Sequence, residues 1–165
     1  MRIFLVILLI CSSTPLLAAD KIKDGFYSDY DAKGILLKTT EYKFGVPNGR
    51  FRTFYLDGRV EGWGGYLNGQ MEGMAQAYYP TGVLKLKSFY HEGKLSGKAT
   101  LYYANGKIKS EIPYVKGVID GIAREYDEHG RPTVDHLYTS GKENGIRKEY
   151  HHNGQLRREW ANKRT

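Results

Sequence analysis

Tyr102-Tyr103-Ala104-Asn105-Gly106-Lys107-Ile108 has the form of a tight turn between two short strands, and its pattern returns every 24 residues along the chain. Gly34, Gly58, Gly82, Gly106, Gly130 and Gly154 make one column at that spacing. Gly45, Gly69, Gly93, Gly117 and Gly141 make a second, and Gly49, Gly73, Gly97, Gly121 and Gly145 a third. Tyr42, Tyr66, Tyr90, Tyr114 and Tyr138 form a fourth; Tyr30, Phe54, Tyr78, Tyr102, Tyr126 and Tyr150 form a fifth. No insertion or deletion breaks the period, and a fixed self-similarity of this length marks a repeat array.

The columns account for an odd composition. The chain has 165 residues with 20 glycines, 14 tyrosines and five prolines. Collagen is excluded, because glycine does not recur every third residue. Twenty-two aromatic residues exclude a disordered chain. What remains is many turns joining short aromatic strands.

One unit shows the chemistry. Met74 to Tyr79 suits a strand, Pro80-Thr81-Gly82 a turn, and Val83 to Tyr90 a second strand, before a Gly-x-x-x-Gly link over 93–97. The turns fit three-residue hairpin loops, in which a type I turn precedes a left-handed glycine. Gly58, Gly82, Gly106, Gly130 and Gly154 are therefore structural turn glycines. Alternate strand residues share a face. Leu84, Leu86 and Tyr90 then lie on an apolar face, with Tyr78 expected beside them, while Lys85 and Lys87 lie on a charged one. The expected fold is all-β, an elongated single-layer array of about six 24-residue hairpin repeats.

These residues resemble MORN repeats, specifically the bacterial variant with the approximate pattern Tyr-Tyr-x-Asn-Gly-x-Leu, a tyrosine further on, and Gly-x-x-x-Gly. Residues 102–117 are the nearest copy, and the resemblance runs from about Tyr30 to Trp160. It implies an array of β-hairpins used for binding rather than catalysis, with bacterial members often described as antitoxin-like. Pro113 and Pro132 depart from the pattern, and the sixth unit stops without its closing tyrosine and glycines. Proline removes a ladder donor, so irregular pairing is expected between units four and five.

The first 19 residues have the form of a signal peptide: a basic start, an apolar run from Ile3 to Ile10, and Ala18-Ala19 before Asp20. The run is too short for a membrane span. Cleavage is the preferred reading, against an uncleaved anchor. Ile10 before Cys11 is not the small residue a lipidated cysteine wants, although lipidation stays open. The domain reading is thus a leader at 1–19, a lead-in strand or cap at 20–29, and the array at 30–165. An exported protein, periplasmic or secreted, is expected.

Without Cys11 the chain has neither disulfide nor thiol chemistry. Its histidines, His91, His129, His136, His151 and His152, show no metalloprotease spacing. No enzyme, cofactor or metal site is expected, and no nucleic-acid motif appears. The formal charge is +7, and the end from Lys142 is notably basic. Partner-binding candidates are the tyrosine ladder of Tyr66, Tyr90, Tyr114 and Tyr138, the basic Arg157 and Arg158, and Trp63. The tyrosines serve either as a binding ladder or as the core; Arg157 and Arg158 either recruit an acidic partner or protect an edge strand. Gly62, Gly64 and Gly65 surround Trp63. They either open a notch for a partner or relieve a close backbone contact, the second being preferred.

The leading expectation is an exported protein-binding, antitoxin or immunity-type protein that neutralises a toxin or effector. The alternative is an envelope scaffold that binds anionic lipid or polysaccharide through an aromatic groove and the basic end. A monomer or an edge-paired dimer fits either.

Overall fold

The computed structural model describes residues 23–162, so the leader, Cys11, Lys163 and Arg164 lie outside the described residues. The strands are Gly25–Tyr30 (β1), Leu36–Lys43 (β2), Val46–Phe54 (β3), Val60–Leu67 (β4), Gln70–Met71 (β5), Gly73–Tyr78 (β6), Leu84–His91 (β7) and Lys94–Leu95 (β8). Gly97–Tyr102 (β9), Ile108–Val115 (β10), Val118–Ile119 (β11), Gly121–Tyr126 (β12), Pro132–Thr139 (β13), Lys142–Tyr150 (β14) and Leu156–Asn162 (β15) complete them. All belong to one antiparallel sheet whose spatial order follows the chain, with β1 and β15 at its edges. The expected all-β, single-layer array of six hairpins is what the chain forms.

Two kinds of turn alternate along it. In the first, Tyr103 N–H donates to Lys107 O at 2.8 Å and Gly106 N–H to Tyr103 O at 2.9 Å, with Gly106 at φ +82°. Asn105 Oδ1 accepts the Lys107 N–H at 3.0 Å, which is why Asn or Asp suits this turn. Asp57 does the same for Arg59. In the fifth unit Asp127 takes the N–H groups of His129 and Arg131, and the Arg131 guanidinium holds its carboxyl down at about 2. The second kind replaces the expected Gly-x-x-x-Gly link with a two-residue hairpin. Phe44-Gly45, Asn68-Gly69, Glu92-Gly93, Lys116-Gly117 and Ser140-Gly141 all have positive φ at both residues. A type I′ turn requires that, and it matches the twist of the strands it joins. The second glycine of each link, such as Gly97 at φ +72°, follows as a kink in the returning strand.

The buried face is built from cross-strand pairs. Tyr66 lies opposite Gly49, Tyr90 opposite Gly73, Tyr114 opposite Gly97 and Tyr138 opposite Gly121. Large side chains thus alternate with glycine across the ladder. Tyr90, Leu95, Ala99, Ile112, Tyr114 and Ala123 form the core, yet no described side chain is wholly enclosed. One layer cannot enclose a residue as two layers do.

Two expectations need correction. Tyr78 pairs with Leu84, but the register shifts between Ala77 and Tyr78. Its hydroxyl donates to Gln76 Oε1 at 2.7 Å and accepts from Trp63 Nε1 at 3.0 Å, so Tyr78 lies on the charged face, not with Leu86 and Tyr90. Tyr126 and Tyr150 follow suit, meeting Glu111 and Asp135 at 3.0 and 3.2 Å. Pairing between units four and five is also no more irregular than elsewhere: β10 meets β12 through the same two-pair register as β4 meets β6. Pro113 lacks an N–H, but its carbonyl accepts from Asp120 at 3.1 Å, as that of Gly65 does from Glu72 at 3.0 Å.

A further tyrosine column clasps neighbouring units. The hydroxyls of Tyr55, Tyr79 and Tyr103 donate to the carbonyls of Tyr78, Tyr102 and Tyr126 at 2.6, 2.8 and 2.8 Å. Tyr114 differs: its hydroxyl is buried and has no protein partner. Tyr103→Phe is expected to cost about 1 kcal/mol by urea denaturation, whereas Tyr114→Phe is expected to be neutral or stabilising, because it removes an unsatisfied group. At Gly106 an added Cβ would meet only Val83 Cγ1, at 4.0 Å, so strain rather than crowding sets the cost. Gly106→Ala should lose about 1–2 kcal/mol in the same measurement, and Gly106→Asn less, since asparagine tolerates this conformation better.

Candidate binding site

The charged face carries the surface best suited to a partner. Its middle row runs Arg52, Trp63, Gln76, Lys87, Thr100, Glu111, Arg124, Asp135, Lys148, Glu159 across successive strands. The next row contains the pairs Arg50–Gly65, Met74–Phe89, Lys98–Pro113, Ile122–Leu137 and Ile146–Ala161. Met74, Phe89, Ile122 and Ile146 in that row are 41–47% exposed. A charged face with an exposed apolar row differs from an ordinary solvated surface, where apolar residues are scattered singly.

Trp63 projects from this face, as expected. A cleft of about 440 Å³ lies beside it, lined by Arg50, Arg52, Trp63, Gly65, Glu72 and Met74, with Phe51 and Gly64 closing it from behind. All three glycines relieve close contacts, and Gly65 also lines the cleft. A Cβ on Gly64 would lie 2.7 Å from the Phe51 ring and 3.2 Å from Ala75 Cβ; one on Gly62 would lie 3.0 Å from Gln76 O. These two relieve close contacts on the buried face and open no notch there. Gly65 lies on the charged face and lines the cleft, and a Cβ there would also lie 3.0 Å from the Glu72 backbone oxygen, so it too relieves a close backbone contact.

The cleft is basic. Glu72, the carboxylate in its lining, accepts the Glu92 N–H at 2.9 Å and meets His91 Nδ1 at 3.1 Å. Those contacts hold the Glu72 carboxyl below its ordinary range, chiefly through the Glu92 N–H, and raise the His91 imidazole. Glu41, across the strand from Arg50, accepts the Arg50 backbone N–H at 3.1 Å. Among the described residues neither the Arg50 nor the Arg52 guanidinium lies within ion-pair distance of a carboxylate.

The remaining candidates are dispersed. Tyr90 and Tyr114 are 9% and 5% exposed, placing them in the core, while Tyr66 and Tyr138 are half-buried on the same face. Tyr66 packs against Phe51 with centroids 5.0 Å apart, and Lys38 Nζ lies 5.7 Å from its ring. Arg157 and Arg158 are exposed neighbours on the edge strand β15, so their side chains leave opposite faces. Arg158 stacks over Trp160 at 5.7 Å and Arg147 at 5.3 Å. Neither arginine joins Trp63. Arg50, Arg52 and Met74 were not among the sequence candidates; their signal lies in comparing repeat columns for what is missing. Among the described residues, no group of three His, Cys, Asp or Glu is placed to hold a metal ion. No helix among them is long and apolar enough to cross a membrane.

The fold and this face define a single-sheet hairpin-repeat protein. Residues 71–92, 95–116 and 143–160 match the family model of the MORN repeat variant, so these three stretches are similar to MORN repeats. The unmatched units keep the same turns and pairing, including Gly58 at φ +83° and Gly130 at φ +85°. No curated protein matches the chain.

The Glu72–His91 pair gives the cleft rim a pH signature. The raised His91 pKa contributes stability below the ordinary value of about 6.5, lost as pH rises through the folded value. The lowered Glu72 pKa contributes above about 4.3, lost as pH falls. The pair is therefore at its strongest between those limits. Glu72→Gln should return the His91 titration toward its ordinary midpoint, read from its imidazole proton shifts by NMR; an unmoved midpoint would show that Glu72 is not the cause.

Proposed function

We propose that this chain is an exported, non-catalytic MORN-repeat binding protein that neutralises a protein toxin or effector in the cell envelope, as an antitoxin or immunity protein does. The observation that carries the reading is that the exposed apolar residues Met74, Phe89, Ile122 and Ile146 lie in one row beside a largely charged middle row. Apolar area bordered by charge suits a protein partner, because the apolar row supplies affinity and the charges fix register. The leader-like residues 1–19 support export. The family resemblance supports binding without catalysis and is the source of the antitoxin role.

The other reading, an envelope scaffold gripping lipid or polysaccharide, draws less support from the fold. Its aromatic groove requires the ladder tyrosines, and Tyr90 and Tyr114 are buried. Its basic end is divided between two faces, with Arg158 engaged on Trp160.

Co-expression with the exported products of neighbouring genes tests the proposal. Restored colony formation in the presence of one toxic product, with a complex that survives size-exclusion chromatography, is the expected result. If no such product is neutralised, the antitoxin role falls. Flotation with anionic vesicles that vanishes at high salt would favour the scaffold.

A further inference from the structure

On the charged face, the repeat position that holds Trp63 is filled elsewhere by Thr39, Lys87, Glu111, Asp135 and Glu159 at the 24-residue spacing. The bases beside it depend on what stands there. Glu111 forms an ion pair with Lys98 and also accepts from the Tyr126 hydroxyl. Asp135 lies 3.7 Å from Arg124 Nε, and Glu159 lies 3.8 Å from Lys148 Nζ. Arg50 occupies the position of Lys98 two units earlier, and Arg52 that of Arg124 three units earlier. In both cases the repeat places the compensating acid at position 63. An indole is there instead.

The substitution leaves the rest of the position intact. Trp63 Nε1 donates to the Tyr78 hydroxyl at 3.0 Å, so the turn tyrosine keeps its partner and the ring is fixed. What is lost is the carboxylate. Two guanidiniums are left without one, beside a cleft lined in part by Gly65, which stands where other units carry Glu41, Phe89, Pro113 or Leu137. The nearby Glu72 is engaged by His91 and the Glu92 N–H. Met74 and Phe89, a cross-strand pair, continue the wall as exposed apolar surface.

We infer that this cleft docks an acidic, amphipathic segment of a protein partner, whose carboxylate takes against Arg50 and Arg52 the place that Glu111 and Asp135 take against Lys98 and Arg124. The inference rests on the reading of this chain as a protein-binding module and names the surface and the partner's chemistry. Paired guanidiniums favour a carboxylate through short, charge-assisted hydrogen bonds. A free anion or a lipid headgroup would use the arginines and leave Met74 and Phe89 wet. A segment with an apolar residue near its acid covers both.

The test is fluorescence anisotropy of a labelled nonapeptide of Glu-Leu-Ser repeats against the full chain. Binding that weakens as salt rises is expected, and Arg50→Gln with Arg52→Gln should weaken it by about tenfold or more. Both arginines are exposed, so a matching circular dichroism spectrum confirms that the variant folds. Trp63→Glu should restore the internal acid and abolish peptide binding; Met74→Glu, at an exposed position, should weaken it without touching either arginine. Arg157→Gln with Arg158→Gln removes equal charge from the far edge and should leave affinity nearly unchanged. Equal loss from that pair would reduce the effect to net charge and overturn the inference. So would unchanged binding without Arg50 and Arg52, equal binding of a Glu-Ser-Ser peptide, or arginine-dependent capture of phosphatidylglycerol vesicles with the peptide ignored. Toxin rescue that survives Arg50→Gln with Arg52→Gln removes this site and leaves the neutralising role. Arginine-dependent peptide binding without any rescue does the reverse.

Discussion

Each ladder tyrosine lies across the strands from a glycine, and the sheet's one dry face depends on that pairing. A single layer has no opposing layer to bury its apolar side against, so cover must come from large side chains leaning over small ones. Tyr90 opposite Gly73 and Tyr114 opposite Gly97 repeat the arrangement unit after unit, with Ala99, Ile112 and Ala123 between them. The glycine serves twice, since its positive φ also turns the returning strand into register. The 24-residue period follows from both demands, because an added residue would move each tyrosine to the other face.

The other face is freed by this division of labour. With packing assigned to one side, the charged side can vary without disturbing the fold. Its second half is balanced, through Lys98 with Glu111, Arg124 with Asp135, and Lys148 with Glu159. Its first half is not, around Trp63. Tyr55, Tyr79 and Tyr103 hold the units together from the turns, so this imbalance sits on a scaffold fixed at several points rather than on a loop.

The hairpins, their turns and their antiparallel order were legible in the sequence because glycine and tyrosine are constrained there by backbone conformation and by cover. Tyr78 was misplaced because a bulge after the turn reverses side-chain parity, and no residue type announces that bulge. The tight hairpins at Asn68-Gly69 and Glu92-Gly93 were read only as links, since their non-glycine residues vary from Phe44 to Ser140 and hide a shared positive φ. Trp63 stood out by its rarity. Arg50 and Arg52 did not, because an arginine on a polar face looks ordinary until the acid its counterpart pairs with is found to be absent.

Every long strand pairs with its neighbours in the chain, and among the described residues no segment returns from afar to close the sheet. Such a fold asks for little loop-closure entropy at any one step, because each new hairpin docks on the one just completed. Assembly can therefore advance with synthesis from the amino-terminal side, each nascent hairpin finding its docking edge already in place. The two edges bear the cost of this economy: among the described strands, β1 pairs with β2 alone and β15 with β14 alone, so the outermost hairpins are held from one side.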